Sequence, residues 1–272
     1  MNRLRIQDKA WTSFANNRVQ KNQSAITKTL EKLSGGDKIV RASLNASGLS
    51  ISESMRTQIK GLSRAQQNMQ DGLSVLEVTD SGLQNVNDAL HRGRELAVQA
   101  ANDTLTENDR YAAQKELDQL MDSINDTANH MEFNTQKILG EVRPIYIQAG
   151  ANSGQILAID TVDVSIKALD LENANLETNS SANELIAKID KALVFTSKKL
   201  TDVGADYNAI SMHHENVGRT EESLQKSESL IRDPDMALEM MDLVKQNIVQ
   251  KGDELLIQST NRNVQSILGL FK

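Results

Sequence analysis

The chain has 272 residues, 3% aromatic side chains, two prolines and no cysteine. So little aromatic bulk and so few prolines suit long helices better than a compact enzyme core, and the missing cysteine removes disulfides, thiol nucleophiles and Cys-ligated zinc or iron–sulfur centres. The balance of 30 basic against 37 acidic residues, −7 overall, argues against a general nucleic-acid binder, although residues 1–41 carry nine Lys or Arg against three acids.

Along residues 2–33, Leu4, Trp11, Val19, Ile26, Leu30 and Leu33 are spaced as on an amphipathic helix. Its basic character reads first as a solvated helix face and second as a contact for a membrane surface or acidic partner. The opening residues have charge but no apolar run of the kind found in a cleavable signal. Ser34-Gly35-Gly36-Asp37-Lys38 lacks the spacing of a phosphate-binding loop and reads as a linker between two helices.

The strongest signal follows. Met55, Leu62, Met69, Leu76, Leu83, Leu90 and Ala97 recur every seven residues, all apolar. Such a row is a seam along one side of a helix that a partner helix must cover. The proline-free stretch 46–101 would be roughly 80 Å long as one helix, at about 1.5 Å per residue. A further helix is expected at 107–130, with Leu117, Ile124 and Met131 seven apart, Thr106 as cap, and Glu107 and Asp109 in its first turn.

The chain then changes character. Residues 143–149 and 155–160 are short β-prone runs flanking Gly150-Ala151-Asn152-Ser153-Gly154, a hairpin connection. Residues 161–180, rich in Asp, Asn and Ser, read as a second strand or a loop. A second seven-residue row returns with Ile189, Thr196, Val203, Ile210, Val217, Leu224 and Ile231, beside Ile186, Leu193, Leu200 and Tyr207. Asp233-Pro234 marks a break and a restart. Beyond it Met236, Met240, Leu243, Val244, Ile248, Leu255, Leu256, Ile267 and Leu270 supply an apolar stripe. The stripes at the two chain ends are expected to pack on each other or on neighbouring copies.

No window approaches a membrane span. His213-His214-Glu215 lacks an HExxH pattern, and adjacent histidines point to different helix faces. His91 and His130 have no evident nucleophile or carboxylate beside them, and Asp118, Asp122 and Asp126 align along one helix edge as a solvated face does. The methionines sit at helical spacing, as core or interface filler. Nothing favours an enzyme, a metal or a cofactor.

Several segments, in order, resemble bacterial flagellin. They are Asn22-Gln23-Ser24-Ala25-Ile26, Leu30 to Gly36, Ile39 to Ser43, Gly48 to Arg56, Gln70-Asp71-Gly72, Arg94-Glu95-Leu96-Ala97-Val98-Gln99-Ala100-Ala101-Asn102, Glu132-Phe133-Asn134, Ile147 to Gln155, and Glu228 to Met240 with its Ile231-Arg232-Asp233-Pro234. The resemblance covers most of the chain outside 156–185. It implies a mainly α fold of long antiparallel rods, in which N- and C-terminal halves pair as coiled coil, with a small β-hairpin region and little or no outer variable domain. The divisions expected are an inner-core helix and linker at 1–41, rod helices at 42–140, the hairpin and short variable region at 141–180, a returning rod helix at 181–232 and a second inner-core helix at 233–272.

The function implied is a subunit that polymerises helically into the flagellar filament, is exported unfolded through the flagellar type III channel, and acts outside the cell. Its partners would be further copies or other flagellins, an export chaperone, the filament cap and the hook–filament junction proteins, with no nucleic acid and no membrane span. Subunit packing is expected at Met55, Leu62, Met69, Leu76, Leu83, Leu90, Ile189, Val203, Ile210, Val217, Leu224, Ile231, Met236, Met240 and Leu243. The family's contact with a host Toll-like receptor would fall on Arg92, Leu96 and Glu116, unless Arg92 and Arg94 simply pair with acids of adjacent subunits. Lys251, Asp253 and Glu254 add charge to a segment expected in the inner core. The alternative is a minor flagellin, or a secreted flagellin-related adhesin, that does not polymerise alone.

Overall fold

The computed structural model describes the backbone at residues 2–43 and 45–269, and side chains at 13–43 and 45–259. Five helices, α1 (Asn2–Gly35), α2 (Ala46–Ala100), α3 (Glu107–His130), α4 (Asn179–Arg232) and α5 (Met236–Gly269), are interrupted by two antiparallel two-stranded ladders. One pairs β1 (Glu132–Phe133) with β2 (Gln136–Lys137), the other β3 (Pro144–Gln148) with β4 (Ile156–Asp160). The chain forms two compact units, Gln58–Glu222, and Met1–Thr57 with Ser223–Lys272.

In the first unit the seven-residue rows meet inside the chain. Met69, Leu76, Leu83, Leu90 and Ala97 of α2, Leu117 and Ile124 of α3, and Ile189, Val203 and Ile210 of α4 are all buried in one cluster. Thr196, the polar member of its row, is fully buried with its hydroxyl donating to Leu193 O at 3.1 Å and lying 3.2 Å from Asn87 Oδ1. That satisfies the cost of placing a hydroxyl in the core. Thr106 and Asp109 form a reciprocal capping box at the start of α3, which satisfies donors that a helix N-terminus otherwise leaves unpaired.

Residues 161–178 are a loop rather than a strand. Val162, Val164, Leu169, Leu171 and Leu176 are buried along it, while its backbone is paired elsewhere. Val162 and Val164 donate to Ile138 O and Leu139 O, and Leu176 N donates to Gln114 Oε1 at 2.6 Å. The β1–β2 ladder was not expected from the sequence, because two-residue strands carry too little alternation to register.

Glycines let the β3–β4 hairpin lie against α2. A Cβ on Gly61 would stand 2.7 Å from Ala151 Cβ and 3.1 Å from Ala151 Cα, in the hairpin connection. Seven residues on, Asn68 Nδ2 donates to Gln148 O at 3.3 Å. Ile147 and Ile159 point inward, while Tyr146, Ile156 and Ala158 point out. At Gly93 the added Cβ would find ordinary contacts, 3.4 Å to Leu117 Cδ1 and 3.6 Å to Met121 Cε.

Opposite outcomes are therefore expected at two helical glycines. Gly93→Ala should raise the melting stability by about 0.5–1 kcal/mol, since alanine is the better helix former and has room. Gly61→Ala should lower it by about 1 kcal/mol, as backbone overpacking outweighs the propensity gain. Thermal melts followed by circular dichroism decide both, and equal signs would refute the close-approach argument. The β1–β2 turn carries Asn134 at φ 48° and Thr135 at φ 64°, a left-handed pair in which a β-branched residue is strained. Thr135→Gly should stabilise by about 1 kcal/mol, read in the same melts; no gain would mean that the turn is not strained.

Candidate assembly surfaces

Helices α1 and α5 pack antiparallel in the second unit. Their cross-contacts run in opposite order along the two helices. Arg18 Nη2 meets Asp253 Oδ1 at 2.9 Å, Asn22 Nδ2 donates to Gln246 O at 2.8 Å, and Thr29 Oγ1 lies 3.2 Å from Gln246 Oε1. Lys32 Nζ pairs with Glu239 Oε1 at 2.6 Å, and Gln250 Nε2 donates to Gln23 Oε1 at 2.9 Å. Ile26 and Thr29 are buried between the helices. On α5, the less exposed positions Glu239, Leu243, Gln246, Gln250, Asp253 and Ile257 repeat at alternating spacings of four and three, the geometry of a coiled-coil seam.

The end stripes were expected to pack on each other or on neighbouring copies; on α1, Val19, Ile26 and Leu33 turn inward, but most of the α5 stripe does not close on α1. Of the stripe read from sequence, Leu243 turns toward α1, whereas Met236, Met240, Val244, Ile248, Leu255 and Leu256 are exposed, with Val244 at 55% and Ile248 at 65%. Met241 joins them, and Leu30 on α1 is exposed as well. The inward face of α5 is largely polar and its apolar face looks outward. Side chains of Leu4, Trp11, Ile267 and Leu270 lie outside the described residues.

Most of the seven-residue rows offer no surface to a neighbour. Met69, Leu76, Leu83, Leu90, Ile189, Val203 and Ile210 fill this chain's own core, so the partner helices that the periodicity demanded are α2, α3 and α4 themselves. Met55, Leu62, Val217, Leu224 and Ile231, toward the ends of the rows, are half-buried and retain surface for other contacts. The receptor-type residues divide likewise. Arg92 and Glu116 are accessible, but Leu96 is 2% exposed and part of the core.

Arg92 and Arg94 find acids within the chain. Arg92 reaches Glu116 of α3 at 2.6 Å and Glu95 at 2.8 Å, and Arg94 reaches Asp190 of α4 at 2.7 Å. These pairs are solvated and orient the helices more than they stabilise them. Among the described residues no group of three His, Cys, Asp or Glu side chains is arranged to hold a metal, and no helix is long and apolar enough to cross a membrane.

A charge network that the sequence did not announce sits where the helical connections of the second unit meet. Arg232, the last residue of α4, forks onto Asp37 with Nε–Oδ1 at 2.7 Å and Nη2–Oδ2 at 3.2 Å, and reaches Glu53 of α2 through Nη1 at 2.9 Å. Its carbonyl accepts from Lys38 N at 2.6 Å. Arg56 adds contacts of 3.6 Å to both Glu53 and Glu228. One guanidinium thus ties the α1–α2 connection to the α4–α5 break in the planar geometry that arginine supplies.

The regions on either side of residues 144–185 match known families. Residues 6–143 match the bacterial flagellin N-terminal helical region, and residues 186–271 the bacterial flagellin C-terminal helical region. The chain is 38% identical to a flagellin of Halalkalibacterium halodurans, over 90% of this chain and 91% of that protein. It is 36% identical to the flagellar filament 33 kDa core protein of Treponema phagedenis, over 95% and 96%. The crystal structure of Bacillus cereus flagellin superposes with a TM-score of 0.51 at 29% identity, covering 56% of this chain and 88% of that one.

Hydrogen bonds from Arg232 hold the Asp37 and Glu53 carboxyls below their ordinary values of 3.8 and 4.5, and the same contacts raise the guanidinium's value further. With folded values below unfolded ones, the network's stabilisation is complete above about pH 4.5 and is lost as pH falls through the depressed values. The Lys38 amide, which donates to Arg232 O, should exchange with solvent faster as pH drops below 4, after correction for intrinsic rates. Arg232→Ala should remove that acid dependence; an unchanged dependence in the variant would count against the network. The chain belongs to the bacterial flagellins, in a short form whose two helical regions are joined directly by residues 144–185.

Proposed function

We propose that this flagellin, a structural subunit of the flagellar filament, polymerises helically through the outward apolar face of α5. The observation that carries this is the placement of Met241, Val244, Ile248 and Leu255 on a helix whose opposite face is already occupied by α1. An exposed apolar stripe of this kind marks an interaction surface. Contacts that repeat from copy to copy without closing give a filament.

On this reading residues 1–41 and 233–272 form the inner core of the polymer, 42–140 and 181–232 its rods, and 141–180 a short hairpin region at the rod. Met55, Leu62, Val217, Leu224, Ile231, Met236 and Met240 are the members of the expected packing set that keep surface for neighbouring copies. The chain passes unfolded through the flagellar type III channel to the cell exterior, assisted by an export chaperone, and meets the hook–filament junction proteins, the cap and other flagellins there. It acts as building material and catalyses nothing. Contact with a host Toll-like receptor would use Arg92 and Glu116, released from their mutual ion pair, and not the buried Leu96.

The test is a paired substitution. Val244→Asp with Ile248→Asp should abolish filaments in electron micrographs of seeded protein. It should leave the thermal unfolding of the Gln58–Glu222 unit within about 0.5 kcal/mol of the parent, as expected for surface changes. Filaments of normal length and width from the double variant would refute the assignment of this face. A parent chain that stays monomeric when seeded, yet copolymerises with a second flagellin, would favour the minor-subunit alternative.

A further inference from the structure

The seam between α1 and α5 is poorly designed for affinity alone. Asp253 is only 4% exposed. Its Oδ1 takes the Arg18 guanidinium at 2.9 Å, while its Oδ2 has no hydrogen-bond partner among the described residues. Arg18 itself remains half exposed. An ion pair that buries a carboxylate with one oxygen unsatisfied holds two helices less tightly than an apolar pair of similar volume. The best-attested use of a polar residue in a helical seam is to set register.

The apolar residues need such help. On α1, Val19, Ile26 and Leu33 lie seven residues apart on the side facing α5. A slide of α5 by one heptad sets its inward residues against the next member of this apolar row, so the row by itself does not fix the alignment. The charges are not indifferent. After such a slide in one direction Asp253 would oppose Ala25 instead of Arg18, and in either direction Glu239 would lose Lys32. A carboxylate buried beside an apolar residue is strongly disfavoured.

We propose that the Arg18–Asp253 ion pair, supported by Lys32–Glu239, is a register lock that selects one antiparallel alignment of α1 on α5 and rejects heptad-shifted alternatives. The inference concerns pairing within one chain and rests on the filament reading only for the sample in which it is measured. Asp253 acts here as a specificity residue for assembly, and the energy it forgoes is the cost of that selection.

The chain has no cysteine, so introduced pairs report alignment without background. Gln23→Cys with Gln250→Cys reads the native register, and Asn16→Cys or Leu30→Cys with Gln250→Cys reads a heptad shift in either direction. A short bismaleimide is applied to full-length chains, and intramolecular products are assigned by peptide mapping. In the parent, the native pair should cross-link at least about tenfold more than either shifted pair, as expected when the shift strands a buried charge. In the Arg18→Leu, Asp253→Leu background the ratio should fall to within about threefold, although the seam still forms. The swapped pair, Arg18→Asp with Asp253→Arg, should restore the preference.

A leucine background that keeps a tenfold native preference overturns the lock, as does a parent with no preference. Electron microscopy of the same samples reads polymerisation separately. Filaments from the leucine background with only native cross-links would end the lock and leave polymerisation standing. A parent that forms no filaments alone or with a second flagellin would end the polymerisation reading, while the cross-link ratio in the soluble chain still reports register.

Discussion

A helix buries a stripe only where another element stands beside it, and the two units of this flagellin differ in how many elements they supply. In Gln58–Glu222 the stripes of α2, α3 and α4 converge, and the loop 161–178 and the β3–β4 hairpin close the remaining gaps with Leu171, Leu176, Ile147 and Ile159. In the other unit, α5 has α1 along one face, and Val244 and Ile248 on another face remain in contact with water. The first arrangement is complete within one chain. The second leaves an apolar face of α5 uncovered within the chain, and the proposed polymerisation through α5 rests on that face.

The division of polar and apolar residues on α5 reinforces this. If the apolar face were turned to α1, the unit would satisfy itself and leave Gln246, Gln250 and Asp253 for neighbours. The observed choice places directional groups inward, where Asn22, Gln23 and Arg18 meet them, and non-directional ones outward. Hydrogen bonds specify geometry, while apolar burial contributes most of the association energy and tolerates small adjustments of angle. Under the proposed assembly, that order lets polar groups set the pairing within the chain and leaves the apolar face for neighbouring copies.

Much of the fold was legible from periodicity. The rows from Met69 to Ala97 and from Ile189 to Ile210 demanded partner helices, and the polar Thr196 did not disturb its row because Asn87 and Leu193 O accommodate it. The β3–β4 hairpin followed from two β-prone runs around a Gly-bounded connection, observed with Ile147 opposite Leu157. Periodicity cannot say whether the covering helix belongs to the same chain, so residues such as Leu83 and Leu90 read as intersubunit contacts when they are core. Nor can it tell which face of α5 turns inward, because Leu243 and Val244 are neighbours in sequence and opposite in environment. Leu96 illustrates the same limit: a family resemblance carries residue identity, not exposure.

The Arg232 network lay beyond sequence reading for a different reason. Asp37, Glu53 and Arg232 are distant in the chain, and each alone is an ordinary charged residue near a helix end. Only the fold brings them together, and their geometry then explains the local sequence. Gly36, at φ +67°, lets the chain leave α1 sharply enough for Asp37 to meet the fork. Asp233-Pro234 ends α4 directly after Arg232, so the guanidinium projects from a helix terminus instead of a helix middle. Pro234 cannot donate a backbone hydrogen bond, and Asp235 accepts from Ala237 N and Leu238 N at 3.0 and 3.2 Å to begin α5. The break between the two helices is therefore built from both sides, by a proline and a cap that permit it and by an arginine that fixes where it occurs. A connection set this way gives α5 a defined point of departure. The register of α5 on α1 then depends on the seam itself.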